Sequence, residues 1–208
     1  MALEPGYGET PVPRDELDAL LPGLRELLGE PVTRAAIYDF EQAVQEQVVE
    51  ERLMAVFEGR VGLDALLTDG TLRQLHAQLY QDLWAWAGLL RKSDVNIGVA
   101  PEHVAVELRT AMDTIRYRWE HTSDWTAREL GIIVHAEAVR IHPFVDGNGR
   151  STRLLADLVF MAAQESEQIQ QYDWEIDKAT YISLLREYDR MRDIRDLAAF
   201  IPVRHFEG

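Results

Sequence analysis

The sequence predicts a mainly α fold with one small β element, on three observations. Apolar residues recur at spacings of three and four along most of the chain. Prolines and glycines fall at the joints between these runs. The stretch 89–99 loses the helical rhythm, is short and carries the β-branched Val95, Ile97 and Val99.

Taken in order, residues 1–14 hold Pro5, Gly6, Gly8, Pro11 and Pro13 and read as an extended, mobile lead-in. From Asp15 to Leu28 the leucines 17, 20, 21, 24, 27 and 28 follow helical spacing, interrupted by Pro22. Thr33 is placed to cap a long helix reaching about Phe57, which Gly59 and Gly62 end. A second helix is expected from about Thr71 to Trp86, with Leu72, Leu75, Leu79, Leu83 and Trp86 on one face. Residues 89–99 then read as a hairpin or extended flap. Helical spacing resumes over Pro101–Trp119, where the proline suits a first turn, and again over Thr126–Ile141, Gly149 to about Gln164, and Lys178–Tyr188. The division expected is an N-terminal extension, partly mobile, over 1–32, a core over 33–200 and a C-terminal tail over 201–208.

A chain of 208 residues suits one domain or a domain with an appendage, and a hydrophobic fraction of 47% is ample for a core. No uncharged apolar run of 18 residues or more suggests a membrane span, and the first residues lack the basic-then-apolar order of a signal peptide. The expected location is the cytoplasm. With no cysteine, disulfides, thiolate metal sites and a cysteine nucleophile are excluded. The net charge of −15 argues against a general nucleic-acid surface but leaves room for a nucleotide site, since a few arginines and a cation reverse the local potential.

The chemistry concentrates in His142-Pro143-Phe144-Val145-Asp146-Gly147-Asn148-Gly149-Arg150-Ser151-Thr152-Arg153, between two expected helices. Pro143 stops the first, and Gly147-Asn148-Gly149 opens the second with backbone N–H groups free to face an anion. Arg150 and Arg153 are three apart on the first turn and reach the same polyphosphate. Asp146 is a hard oxygen ligand of the kind Mg²⁺ takes beside substrate phosphates. His142 can stay neutral and accept a proton from an attacking hydroxyl. Phe144 reads as a core anchor for the loop.

This run resembles the signature of Fic-domain proteins: His-Pro-Phe, two variable residues of which the second is acidic, then Gly-Asn-Gly-Arg, two more and Arg. The resemblance extends over about Thr33 to Phe200. It takes in Trp84-Ala85-Trp86-Ala87-Gly88 as the family's helix and Asp94–Val99 as its target-docking flap, and the stretch 93–99 is similar to the branch called "mobile mystery protein B". It implies a Fic-type helical bundle with a β-hairpin flap over the active-site cleft. It further implies His142 as general base, Asp146 as Mg²⁺ ligand, and Gly147, Asn148, Gly149, Arg150 and Arg153 as the binders of ATP, the co-substrate. The Gly-Asn-Gly form points to transfer of AMP onto a Ser, Thr or Tyr hydroxyl of a target protein, with Asn96 and Ile97 as flap contacts.

Many members of the family carry an inhibitory glutamate that pairs with the second motif arginine and blocks the γ-phosphate. The usual pattern is Ser or Thr, three residues, Glu, then Gly or Asn. Glu41 is the first candidate, departing from that pattern at Ile37 and Gln42; Glu58 is a second, with Met54 in place of the hydroxyl residue. Other chemistries on the same scaffold are γ-phosphate transfer, UMP transfer and AMP removal. A non-catalytic nucleotide-binding module is the rival from another class, and a separate regulator or a homo-oligomer is compatible with all of these.

Overall fold

The computed structural model describes residues 17–28, 32–166 and 168–206, so the expected lead-in over 1–14 lies outside the described residues. The elements are α1 (Pro22–Leu28), α2 (Arg34–Phe57), α3 (Leu63–Leu66), α4 (Asp69–Tyr80), a 3₁₀ turn (Pro101–His103) running into α5 (Val104–His121), α6 (Ala127–Ile141), α7 (Asn148–Ala162), β1 (Gln170–Tyr172), α8 (Lys178–Met191), α9 (Arg195–Phe200) and β2 (Val203–His205). The fold is mainly α with a small antiparallel sheet, as the sequence predicts.

The centre is the α6–α7 pair. Leu130, Ile132, Ile133, Val134, Ala136, Ala138 and Ile141 are all buried, so α6 is covered on most of its circumference, as a central helix must be. Gly131 permits the close approach, because a Cβ there would stand 2.7 Å from the Ala156 carbonyl oxygen of α7. Helices α2 and α4 lie against α7, while α5, α8 and α9 lie against α6. Each fully buried Leu, Ile or Val in this core contributes about 1.5–3 kcal/mol.

The expected caps form. The Thr33 hydroxyl accepts from the Ala36 N–H at 3.3 Å, and Thr126 and Glu129 make a reciprocal capping box at the start of α6.

Three expectations are corrected. The helix expected over 71–86 ends at Tyr80, because residues 83–85 pair instead with 19–21: the Leu21 N–H donates to Leu83 O at 2.8 Å and the Ala85 N–H to Ala19 O at 2.9 Å. Leu20, Leu24, Val32, Ile37 and Leu83 bury one another there, so residues 17–28 pack with the start of α2 and with Leu83 in a second, smaller apolar cluster. The segment 89–99 is not a hydrogen-bonded hairpin; its ends bond to the motif backbone, Arg91 N–H to Pro143 O at 2.9 Å and Val99 N–H to Ile141 O at 3.3 Å. The small sheet lies elsewhere. β2, from the expected tail, pairs antiparallel with β1 in the register Gln170–His205, Gln171–Arg204 and Tyr172–Val203.

Candidate active site

Helix α6 ends on His142, which takes a left-handed conformation (φ 53°, ψ 65°). Pro143 bars His142 from continuing the helix. A non-glycine residue held there costs about 1–3 kcal/mol. It persists because the His142 N–H donates to Ala138 O at 3.0 Å and the His142 carbonyl accepts from Arg91 Nε at 2.7 Å. Phe144 is fully buried and stacks on His76, ring centroids 3.6 Å apart, which pins the loop as expected.

The Asn148 side chain closes the turn. Its Oδ1 accepts from the Phe144 N–H at 2.9 Å and its Nδ2 donates to Phe144 O at 2.8 Å. Gly147 has φ 73° and is the N-cap of α7. The first intrahelical bond runs from the Ser151 N–H to Gly147 O at 3.1 Å, so the N–H groups of Asn148, Gly149 and Arg150 precede it and have no protein acceptor among the described residues. Gly149 borders open space. This is an anion seat of the helix-terminus type. A Cβ on Gly147 would stand 2.6 Å from Cζ of Tyr80, so Gly147→Ala combines backbone strain with overpacking. It is expected to cost about 2–4 kcal/mol, read as a lowered Tm in thermal melts.

Asp146 is exposed; its Oδ1 accepts from the Gly147 N–H at 2.7 Å, which leaves Oδ2 open. His142 is half-buried. Burial first, and the Arg91 guanidinium second, hold its imidazole below the usual histidine range, so the ring is neutral at pH 7.

Glu41 is buried on α2 and pairs with Arg150, Nη1 to Oε2 at 2.7 Å, while its Oε1 accepts from Trp84 Nε1 at 2.7 Å. The glutamate therefore engages the first motif arginine, not Arg153. The reason is orientation around α7. Arg150 faces α2, where Gln45, one turn beyond Glu41, also accepts from it at 3.2 Å. Arg153 turns to the Trp174 ring, 5.9 Å from its centroid. Both arginines line one cavity of about 880 Å³ with Asp157, Trp174 and Arg204. Glu58 is exposed and bonded to Arg60 at 2.6 Å, away from the motif. Asn96 and Ile97 are exposed on the 92–99 loop.

Sequence reasoning missed the groups beneath the loop. Arg91 is 3% exposed and donates to four carbonyls, those of His142, Ser93, Val99 and Ile141. Gly98 packs so tightly on this cluster that a Cβ would stand 2.6 Å from Cβ of His142. His76 accepts from the Gly88 N–H through Nδ1 at 2.8 Å, so Nε2 carries the proton and donates to Asp146 O at 3.0 Å. Burial lowers its pKa to about 4, which keeps this tautomer neutral. A histidine inside the apolar stripe Leu72, Leu75, Leu79 is the signal that could have flagged it.

Residues 66–160 match the sequence profile of the Fic/DOC family. The chain is 39% identical to "Protein adenylyltransferase fic-1" of Caenorhabditis briggsae over 79 residues, 36% of this chain and 15% of that protein. It is 43% identical to "Protein adenylyltransferase Fic" of Drosophila ananassae over 49 residues, 22% of this chain and 10% of the relative. The matched stretch thus spans a small part of the length of these relatives. Among solved structures, the N-terminal Fic domain of a VirB-translocated Bep effector from Bartonella quintana superposes with a TM-score of 0.60 at 16% identity, covering 79% of this chain and 81% of that one. The BepC protein of Bartonella tribocorum with bound AMPPNP gives 0.54 at 16% identity over 80% and 89%. At those identities the structures establish a shared fold. Among the described residues no helix is long and apolar enough to cross a membrane.

Proposed function

We propose, from the premise that the chain belongs to the Fic/DOC family through residues 66–160, that it transfers AMP from ATP to a Ser, Thr or Tyr hydroxyl of a target protein. The observation that carries this reading is the juxtaposition on one loop of a neutral, half-buried imidazole and an open helix N-terminus flanked by two arginines. A pure binding module needs the second and not the first.

In this reading the target hydroxyl oxygen attacks the α-phosphorus in line. The new O–P bond forms as the bond to the β-phosphate's bridging oxygen breaks, and pyrophosphate leaves. His142 takes the hydroxyl proton. The N–H groups of Asn148, Gly149 and Arg150 and the two guanidiniums hold the charge that develops on the phosphates. Asp146 fits Mg²⁺, since one exposed carboxylate with an open oxygen is what that ion takes beside phosphates. The ion would supply charge neutralisation on the polyphosphate. The 92–99 loop, with Asn96 and Ile97 outward, offers backbone for an extended target segment. Glu41 on Arg150 withholds one cation from ATP, so the resting protein is autoinhibited.

The test is incubation with ATP labelled at the α or the γ position, with Mg²⁺ and a protein lysate. Label is expected on protein from the α position alone, and EDTA is expected to stop it. Transfer from the γ position would replace this reading with phosphotransfer, and undiminished transfer in EDTA would remove the metal role of Asp146. Zn²⁺ is not expected to restore activity, since a single histidine and a single carboxylate are too few for a closed zinc site.

A further inference from the structure

Tyr80 is fully buried, yet its hydroxyl has no hydrogen-bond partner among the described residues. Buried hydroxyls are costly when unpaired, and folded proteins satisfy nearly all of them. The contrast lies one turn earlier on the same helix, where His76 has both ring nitrogens engaged. The two residues are four apart on α4 and both face the motif loop, His76 holding the Asp146 carbonyl and Tyr80 lying under Gly147.

The position of the hydroxyl is specific. A Cβ on Gly147 would stand 2.7 Å from the Tyr80 Oη, so the hydroxyl lies against the residue that opens the turn into α7. The Arg150 guanidinium sits 5.1 Å from the Tyr80 ring centroid. The hydroxyl thus lies beside the turn whose Asn148, Gly149 and Arg150 N–H groups have no acceptor among the described residues. From this we infer that Tyr80 Oη is an additional hydrogen-bond donor to the anion seated at the N-terminus of α7, a phosphate oxygen of the polyphosphate chain. The inference rests on the nucleotide reading of the site and extends its binding set by a residue outside the motif. Burial pushes the Tyr80 hydroxyl far above its usual range, so it keeps its proton and donates at any working pH. A bond from such a donor to a charged oxygen is of the strong kind.

The test measures binding without any transfer step. ATP and inorganic pyrophosphate are titrated calorimetrically into the full chain and into Tyr80→Phe, each with Glu41 in place and with Glu41→Gly. Thermal melts are run without ligand. Tyr80→Phe is expected to melt at the same temperature or higher, because it removes a hydroxyl that has no partner among the described residues. It is expected to bind ATP about tenfold more weakly, as loss of one bond to a charged acceptor implies. Weakening confined to ATP assigns the hydroxyl to the α-phosphate, and weakening with both probes assigns it to the distal phosphates. Equal affinity of Tyr80→Phe and parent for both probes overturns the inference, as does a lower melting temperature, which would mean that the hydroxyl is already bonded in the free protein. If neither parent nor Glu41→Gly binds either probe, the nucleotide reading of the site fails, and the Tyr80 role falls with it.

Discussion

Replacing His142 with alanine is expected to lower AMP transfer by at least about 10²-fold, the usual consequence of losing a general base. ATP affinity should change little, because the N–H groups, Arg150 and Arg153 that are proposed to hold the phosphates stay in place. The pH profile supplies a second reading of the same residue. Burial and Arg91 depress the imidazole pKa, so the proton-accepting form persists below pH 6.5 and is lost only as pH falls through the lowered value. The acid limb of kcat/KM for the parent should therefore lie below pH 6.5, and the residual rate of His142→Ala should lack that limb. A His142→Ala variant that transfers at near the parental rate would remove this residue from the mechanism.

Glu41→Gly is expected to raise self-modification and target labelling about tenfold or more at a fixed ATP concentration. In the proposed reading the buried carboxylate and ATP compete for the Arg150 guanidinium, and an ion in a partly buried cleft does not give up its partner without a replacement. Removing the carboxylate leaves Arg150 to the phosphates. Glycine inside α2 carries its own cost of about 1 kcal/mol in helix stability, so Glu41→Ala serves as the control for backbone effects. Arg150→Ala should not imitate the gain, because it removes the proposed phosphate ligand together with the proposed brake and leaves the Glu41 carboxylate with the Trp84 indole. Labelling rates for the parent, Glu41→Gly, Glu41→Ala and Arg150→Ala under one ATP concentration decide the matter. Equal rates for the parent and both Glu41 variants would make the Glu41–Arg150 pair purely structural.

The helices were legible where their signals are local. Thr33 and Thr126 cap as their hydroxyls and following residues require, and Ile141 ends α6 because Pro143 follows His142. The motif was legible for the same reason: its groups are neighbours in the chain, and the turn that presents them is encoded by its own glycines and asparagine. The misreadings fall where distant segments compete for the same backbone. Residues 81–86 carry an acceptable helical pattern, yet the Leu83 carbonyl and the Ala85 N–H are taken by Leu21 and Ala19. Residues 89–99 carry β-branched residues, yet their backbone is bound at both ends to residues 141–143. Propensity is a weak prior against partners of that kind.

The order of residues by itself determined the mainly α class, the place of the His142–Arg153 loop between two helices, and the chemical character of each group on it. Only the tertiary structure decided which arginine Glu41 meets, that Arg91 and His76 brace the loop from below, and that the Tyr80 hydroxyl beneath Gly147 has no partner among the described residues. Glu41 and Arg150 are 109 positions apart, and His76 and Asp146 are 70 apart. Caps and turns are set by the few residues that form them, whereas contacts across such separations depend on how α2, α4 and α7 are rotated against one another in the packed core.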